Sequence, residues 1–190
     1  MINNKNGLNM AGINRLYCEA STLSYRKKLG IKCVFISHQK NDADICRHIA
    51  DYLMKAGIDV YFDEYDKDLK NYRQQNNPAN VVFSIKNGIQ QSSHMLCVIS
   101  PNTLQSKWVP WEIGYGYDKT QLSVLTLKGI KEEDLPEYLK TVTLVRGTRT
   151  LNEYISKLVG EYKDKMYASK RLINESISIH PLDKYLDWSL

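Results

Sequence analysis

Residues 95 to 100 read MLCVIS, a run with no charge and no amide. A β-strand points alternate side chains to opposite faces, so a strand of this composition has no face suited to water and must be covered on both sides. A transmembrane helix is not among the solutions, because the run is far shorter than the roughly 20 apolar residues that crossing a bilayer takes. What remains is the central strand of a sheet with a layer of helices on either face.

Other parts of the chain fit that requirement. KCVFIS at 32 to 37, IDVYFD at 58 to 63, LSVLTL at 122 to 127 and VTLV at 142 to 145 are further short strand-like runs. Between them the apolar spacing turns helical. Ile45, Ile49, Leu53 and Ala56 fall on one helix face, with Asp44, Arg47, His48, Asp51 and Lys55 on the other and Gly57 as terminator. Asn77 followed by Pro78 is an N-cap and first-turn signal, and Val81, Val82, Ile85 and Ile89 supply the stripe of the helix it starts. Leu151, Ile155, Leu158 and Tyr162 mark the last helix. Residues 64 to 77, long, polar and without pattern, read as a connecting loop. Strand alternating with helix predicts an α/β fold, a flavodoxin-like three-layer sandwich of five parallel strands in the order 2-1-3-4-5. A chain of 190 residues suits one such domain with appendages. The expected division is an N-terminal extension over 1–30, the domain over 31–165 and a C-terminal extension over 166–190.

In this strand order a ligand crevice opens beyond the carboxyl ends of strands 1 and 3. Those ends carry Ser37, His38 and Ser100, and the next helix carries SKWVPWEIGYG at 106 to 116. Glu112 is the one charge between Lys107 and Asp118. A lone carboxylate in an aromatic stretch needs either a buried partner or a chemical task. With Pro110 at the first helical position, Glu112 is the third, where the helix dipole favours the ionised form. A capping box there requires Ser or Thr at position 109, which is Val109.

Composition narrows the function classes. With 43% hydrophobic and 25% charged residues the chain is neither disordered nor membrane-spanning. Cys18, Cys33, Cys46 and Cys97 form no CxxC pair and read as small core hydrophobes of a reducing compartment. His38 and His94 flank strands without a second ligand at zinc spacing, so no metal is expected. The net charge of +5 is spread along the chain apart from Arg26, Lys27, Lys28 and Lys32, with no basic stripe interleaved with aromatics, and nucleic-acid binding is not expected. The N-terminus has no apolar signal region, and Glu19 and Arg26 stand where one would be, so a cytoplasmic location is expected.

FISHQKNDADICRHIADYL at 35 to 53, GIDVYFDEYD at 57 to 66 and the stretch from Ile85 to Gly116 together resemble the Toll/interleukin-1 receptor (TIR) domain, in the style of the bacterial TIR proteins of antiphage systems such as Thoeris. The resemblance covers about residues 31 to 160. It implies an NAD+ nucleosidase that breaks the nicotinamide–ribose bond and, in some members, closes ADP-ribose into a cyclic signal. Matched to the family's W-x-x-x-E pattern, Glu112 is the catalytic carboxylate and Trp108 the aromatic wall, while Trp111 is assigned to the core. Ser37, His38, Asp42, Asp63 and Ser84 are the implied substrate contacts, Asp42 being equally an N-cap. NAD+ is then substrate, with no further cofactor. Residues 64 to 77 match the family's BB loop, a lid or a surface for TIR–TIR self-association, and a separate effector protein is implied as reader of the product.

Three other readings are weighed. A non-enzymatic TIR adaptor acts by contact alone, and many such domains lack the glutamate. A response-regulator receiver needs an Asp at the end of strand 3, where this chain has Ile99 and Ser100. A nucleoside deoxyribosyltransferase shares fold and glutamate, and incubation with NAD+ and with deoxynucleosides separates it.

Overall fold

The computed structural model describes residues 7–12, 30, 32–160 and 180–187. Cys18, Glu19, Arg26, Lys27, Lys28 and Tyr162 lie outside these residues. Five strands, β1 (Cys33–Ser37), β2 (Asp59–Tyr61), β3 (His94–Ile99), β4 (Gln121–Thr126) and β5 (Thr143–Arg146), form one sheet in the order β2-β1-β3-β4-β5. Every pairing is parallel. Among the described residues five α-helices join and cover them: α1 (Ala43–Lys55), α2 (Lys67–Gln74), α3 (Pro78–Gln90), α4 (Val109–Gly116) and α5 (Gly147–Val159). The expected α/β sandwich and strand order are those observed.

Alternation along the strands divides the core in two. Val34, Ile36, Leu96, Val98 and Leu125 pack with α1 and α5, whereas Phe35, Met95, Cys97, Ile99 and Val124 pack with α3 and α4 on the opposite face. All six residues of β3 are buried, as its unbroken apolarity requires. Cys46 and Cys97 are fully buried free thiols used as core filling, and Cys33 is half-buried and packs against the core. Gly116 lets α4 lie against β3, since a Cβ there would stand 2.3 Å from Met95 Sδ.

The segment after β2 departs from the loop reading. Asp63–Tyr65 forms a 3-10 turn, and Lys67–Gln74 is a helix, α2. Asp66 starts it, accepting the Leu69 backbone N–H at 3.0 Å and the Tyr61 hydroxyl. Leu69 is completely buried and Tyr72 packs partly on the core. A helix of two turns with a single fully buried apolar anchor shows no periodicity in sequence, which is why it was illegible there. It stops at Asn76, whose φ of 49° is left-handed, and Asn77 then caps α3 by accepting the Asn80 N–H as predicted.

Two described pieces near the ends of the chain are built into this body. Residues 7–12 run beside the edge strand β2: Asn9 bridges Val60, and the Val60 N–H donates to the Leu8 carbonyl at 3.0 Å. Met10 and Ala11 are buried there. Residues 180–187 return over α1 and α5, with Leu182 and Leu186 inside the core. His180 Nδ1 accepts the Leu182 N–H, so its Nε2 carries the proton and donates to Tyr52, whose hydroxyl donates in turn to Asn152. Leu186 has no exposed surface. Leu186→Ala is therefore expected to cost about 3 kcal/mol of stability, as a core leucine does, measurable by denaturant unfolding. A change under about 0.5 kcal/mol would mean that residues 180–187 do not belong to the folded body.

Candidate active site

The switch point of the sheet places Ser37, the last residue of β1, against the first turn of α4. Ser37 is completely buried and donates its hydroxyl proton to Glu112 Oε2 at 2.6 Å. Glu112 is itself 7% exposed. Pro110 takes the second helical position rather than the first, because α4 begins at Val109, so Glu112 is the fourth residue. The start of α4 is held from outside: Ser106 Oγ accepts the N–H groups of Trp108 and Val109, both at 3.2 Å. Glu112 therefore does no capping, and the buried partner that its lone charge demands is Ser37.

Burial pushes the Glu112 carboxyl up to about 8, well above the ordinary 4.5. The Ser37 hydrogen bond pulls it down in part, Asp63 raises it further and Arg73 lowers it. Below it lies Cys97, paired in register with Ser37. Burial, with the Glu112 charge added, holds its thiol well above the usual range, so it is inert as a nucleophile.

Glu112 borders a cavity of about 580 Å³. His38 and Lys40 line it from the end of β1, Asp63 and Glu64 from the end of β2, and Tyr72 and Arg73 from α2. Asn77 and Val81 close it from the start of α3, with Ser106 and Trp108 opposite. Trp108 is 45% exposed at the rim, edge-on to Trp111 with ring centres 5.8 Å apart. Trp111 stacks in turn on Tyr115 and packs partly on the core. Trp108 is thus the open ring of the pair, whereas Trp111 is a supporting ring.

His38, Asp63 and Arg73 form a chain across the cavity. His38 Nε2 lies 3.7 Å from Asp63 Oδ1, and Arg73 Nη2 donates to Asp63 Oδ2 at 3.0 Å. Glu64 pairs with Lys70 at 3.4 Å. His38, Asp63 and Glu64 make up the one group among the described residues close enough to share a metal ion. Its two carboxylates already face the cations of Arg73 and Lys70, so their negative charge is largely offset.

The implied contacts therefore separate. Glu112, Trp108, His38 and Asp63 share the cavity, and Ser37 touches it through Glu112. Asp42 is elsewhere. It sits at the N-cap position of α1 without capping it, and its buried carboxylate accepts from Ser100 Oγ and Asn102 Nδ2, tying the turn after β3 to α1. Ser84 is buried on α3 and is not part of the cavity lining. Tyr72, Arg73, Asn77 and Ser106 line it without having been marked in the sequence, since the first two sit in the stretch that reads as loop. A Ser three residues before the first prolyl turn of an apolar helix is the signal that would have found Ser106.

The folded carboxyl of Glu112 keeps its proton up to about pH 8, while the unfolded one loses it near 4.5. Between these values the folded state binds the extra proton, so stability falls as pH rises, by at most about 1.4 kcal/mol per unit, and levels off above the folded value. Glu112→Gln removes this dependence. Unfolding free energies of both proteins at several pH values across that window should show the variant's relative stability growing with pH. Parallel curves would mean that Glu112 is ionised throughout.

The family model for the TIR domain matches residues 34–159. The chain is 29% identical over 99 residues to the probable 3' cyclic ADP-D-ribose synthase ThsB' of Bacillus cereus (strain MSX-D12), covering 52% of this chain and 49% of that protein. It is 32% identical over 83 residues to the putative cyclic ADP-D-ribose synthase TIR2 of Cytobacillus dafuensis, covering 43% of this chain and 21% of that protein. Among solved structures, a metazoan TIR-STING receptor from C. gigas, in complex with 2',3'-cGAMP, aligns with a TM-score of 0.49 at 25% identity, covering 66% of this chain and 38% of that one. The chain thus aligns with about half, and about a fifth, of the length of the two curated relatives.

Proposed function

The chain belongs to the TIR domain family, and from that premise we propose that it is an NAD+ nucleosidase that closes the remaining ADP-ribose into a cyclic signal. The observation that carries the reading is the buried Glu112 at the cavity, held by Ser37 at 2.6 Å, with the half-exposed Trp108 in the same lining. The relatives' printed names, both cyclic ADP-D-ribose synthases, support it.

The chemistry suits one carboxylate. Nicotinamide in NAD+ is already cationic and departs as a neutral molecule with the electrons of the C–N bond, so no acid is needed to expel it. The barrier is the positive charge that grows on the ribose carbon and ring oxygen. An ionised Glu112 fixed against the ribose stabilises that charge without reorganising, in a site from which water is displaced. The raised proton affinity of Glu112 fits this role, since a cationic nicotinamide ring entering beside the carboxyl favours its ionised form. Trp108 gives the nicotinamide or adenine a flat apolar face. The oxocarbenium carbon is then captured by water, which loses a proton and yields ADP-ribose, or by a nucleophilic atom of the same ADP-ribose, which yields the cyclic isomer. The 3' linkage in one relative's name gives the first isomer to look for.

NAD+ in this reading is substrate, and no resident cofactor takes part. We place the protein in a reducing cytoplasm, with self-association through TIR–TIR contacts and a separate effector reading the released product in antiphage defence. Among the described residues no helix is long and apolar enough to cross a membrane, and Cys46 and Cys97 are free thiols.

The test is mass-resolved chromatography of NAD+ incubated with the protein, alone and in lysate of phage-infected cells. A product one water lighter than ADP-ribose is expected. Only the heavier linear product would overturn cyclisation and leave cleavage standing, whereas no turnover in either setting favours the adaptor reading. Glu112→Gln should lower turnover about a hundredfold or more, the usual size of a lost electrostatic contribution. Near-normal turnover in that variant would remove Glu112 from the mechanism. Trp108→Ala should weaken NAD+ binding or turnover and Trp108→Phe should restore part of it; equal activity in all three proteins would exclude the aromatic wall.

A further inference from the structure

We propose that Arg73 is a substrate-binding residue of this cavity and that its guanidinium takes the diphosphate of the dinucleotide. The proposal rests on the reading that NAD+ is the substrate and adds which side chain meets the phosphates. The electrostatics of the cavity pose the problem. Asp63, Glu64 and Glu112 all line it, and a diphosphate brings two more negative charges. Its lysine and arginine lining consists of Lys40 and Arg73. Lys40 is exposed at the start of a short 3-10 turn, a single flexible point charge.

Arg73 differs in being aimed. It stands in the last turn of α2, whose start is fixed by the Asp66 cap and whose body is anchored by the buried Leu69. Its Nη2 donates to Asp63 Oδ2 at 3.0 Å, which uses one edge of the planar fork. No other hydrogen bond of Arg73 is found among the described residues, so the remaining N–H donors are available to a ligand. The two side chains are 41% and 13% exposed, so Arg73 reaches open space while its anchor stays sheltered. Its positive charge is felt at Glu112, opposite in sign to that of Asp63, as expected for groups that line one cavity. A rigid fork with free parallel donors is the geometry that holds phosphate oxygens in pairs. As a structural surface pair alone, Arg73–Asp63 would contribute little to stability and no ligand selectivity.

The test uses the full chain carrying Glu112→Gln, so that binding is read without turnover, and titrates NAD+ and nicotinamide riboside by calorimetry. The riboside keeps the cationic ring and ribose but has neither phosphate nor adenosine, so any effect of Arg73 through the position 112 side chain is common to both ligands, and the change in salt dependence marks the phosphates. Adding Arg73→Ala should weaken NAD+ about tenfold or more relative to the riboside, as loss of a charged hydrogen-bond donor does. Arg73→Lys should restore part of that ratio, and the salt dependence of NAD+ binding should become shallower in Arg73→Ala, which loses the charge. The proposal is overturned if both ligands weaken equally, if NAD+ affinity is unchanged, or if only Lys40→Ala changes the ratio. If the protein with Arg73 intact binds no NAD+, the substrate reading fails and this assignment falls with it.

Discussion

A parallel sheet buried on both faces leaves a ligand little to reach except the ends of its strands. That constraint begins with β3, every residue of which is buried and which has β1 on one side and β4 on the other. Because β1 and β3 are neighbours in space but not in sequence, the connections that leave their carboxyl ends run to opposite sides of the sheet and part there. Ser37 ends one strand and α4 follows the other. The site is thus a consequence of strand order before it is a matter of particular side chains.

Within that crevice, the chemistry depends on one buried carboxyl whose environment is balanced between opposing influences. Burial favours the protonated form of Glu112, the Ser37 hydrogen bond favours the anion, and Asp63 and Arg73 act with opposite signs. Such a group is poised so that one added positive charge shifts it. Asp63 and Arg73 are themselves bonded to each other, so a ligand that draws Arg73 away also changes the field at Glu112. Binding at one end of the cavity is thereby coupled electrostatically to the state of the carboxyl at the other.

The segment after β2 carries this coupling, and it is where sequence and structure part furthest. Read along the chain it is a polar connection; folded, it is a 3-10 turn and a capped helix that hold Asp63 and Arg73 in fixed relation. Residues 7–12 add to the same wall, with Met10 buried in the cluster that also holds Leu69. A wall built from secondary structure presents its charges with less conformational freedom than a loop of the same composition would.

The sequence by itself determined the class of fold, the strand order, the start of α3 at Asn77 and Pro78, and the singular position of Glu112. The strand order is the usual one for that class, and the others follow from local properties: periodicity of apolar residues, a capping dipeptide, or one charge in an aromatic stretch. Tertiary structure alone decided that Ser37 is the partner of Glu112, that Asp42 ties a turn to α1, that Arg73 faces the cavity, and that Leu182 and Leu186 complete the core. These are contacts between residues far apart in the chain, or a side chain's direction on a helix too short to show a period. The order of residues along the chain does not record which distant groups meet; packing around a doubly covered sheet selects them.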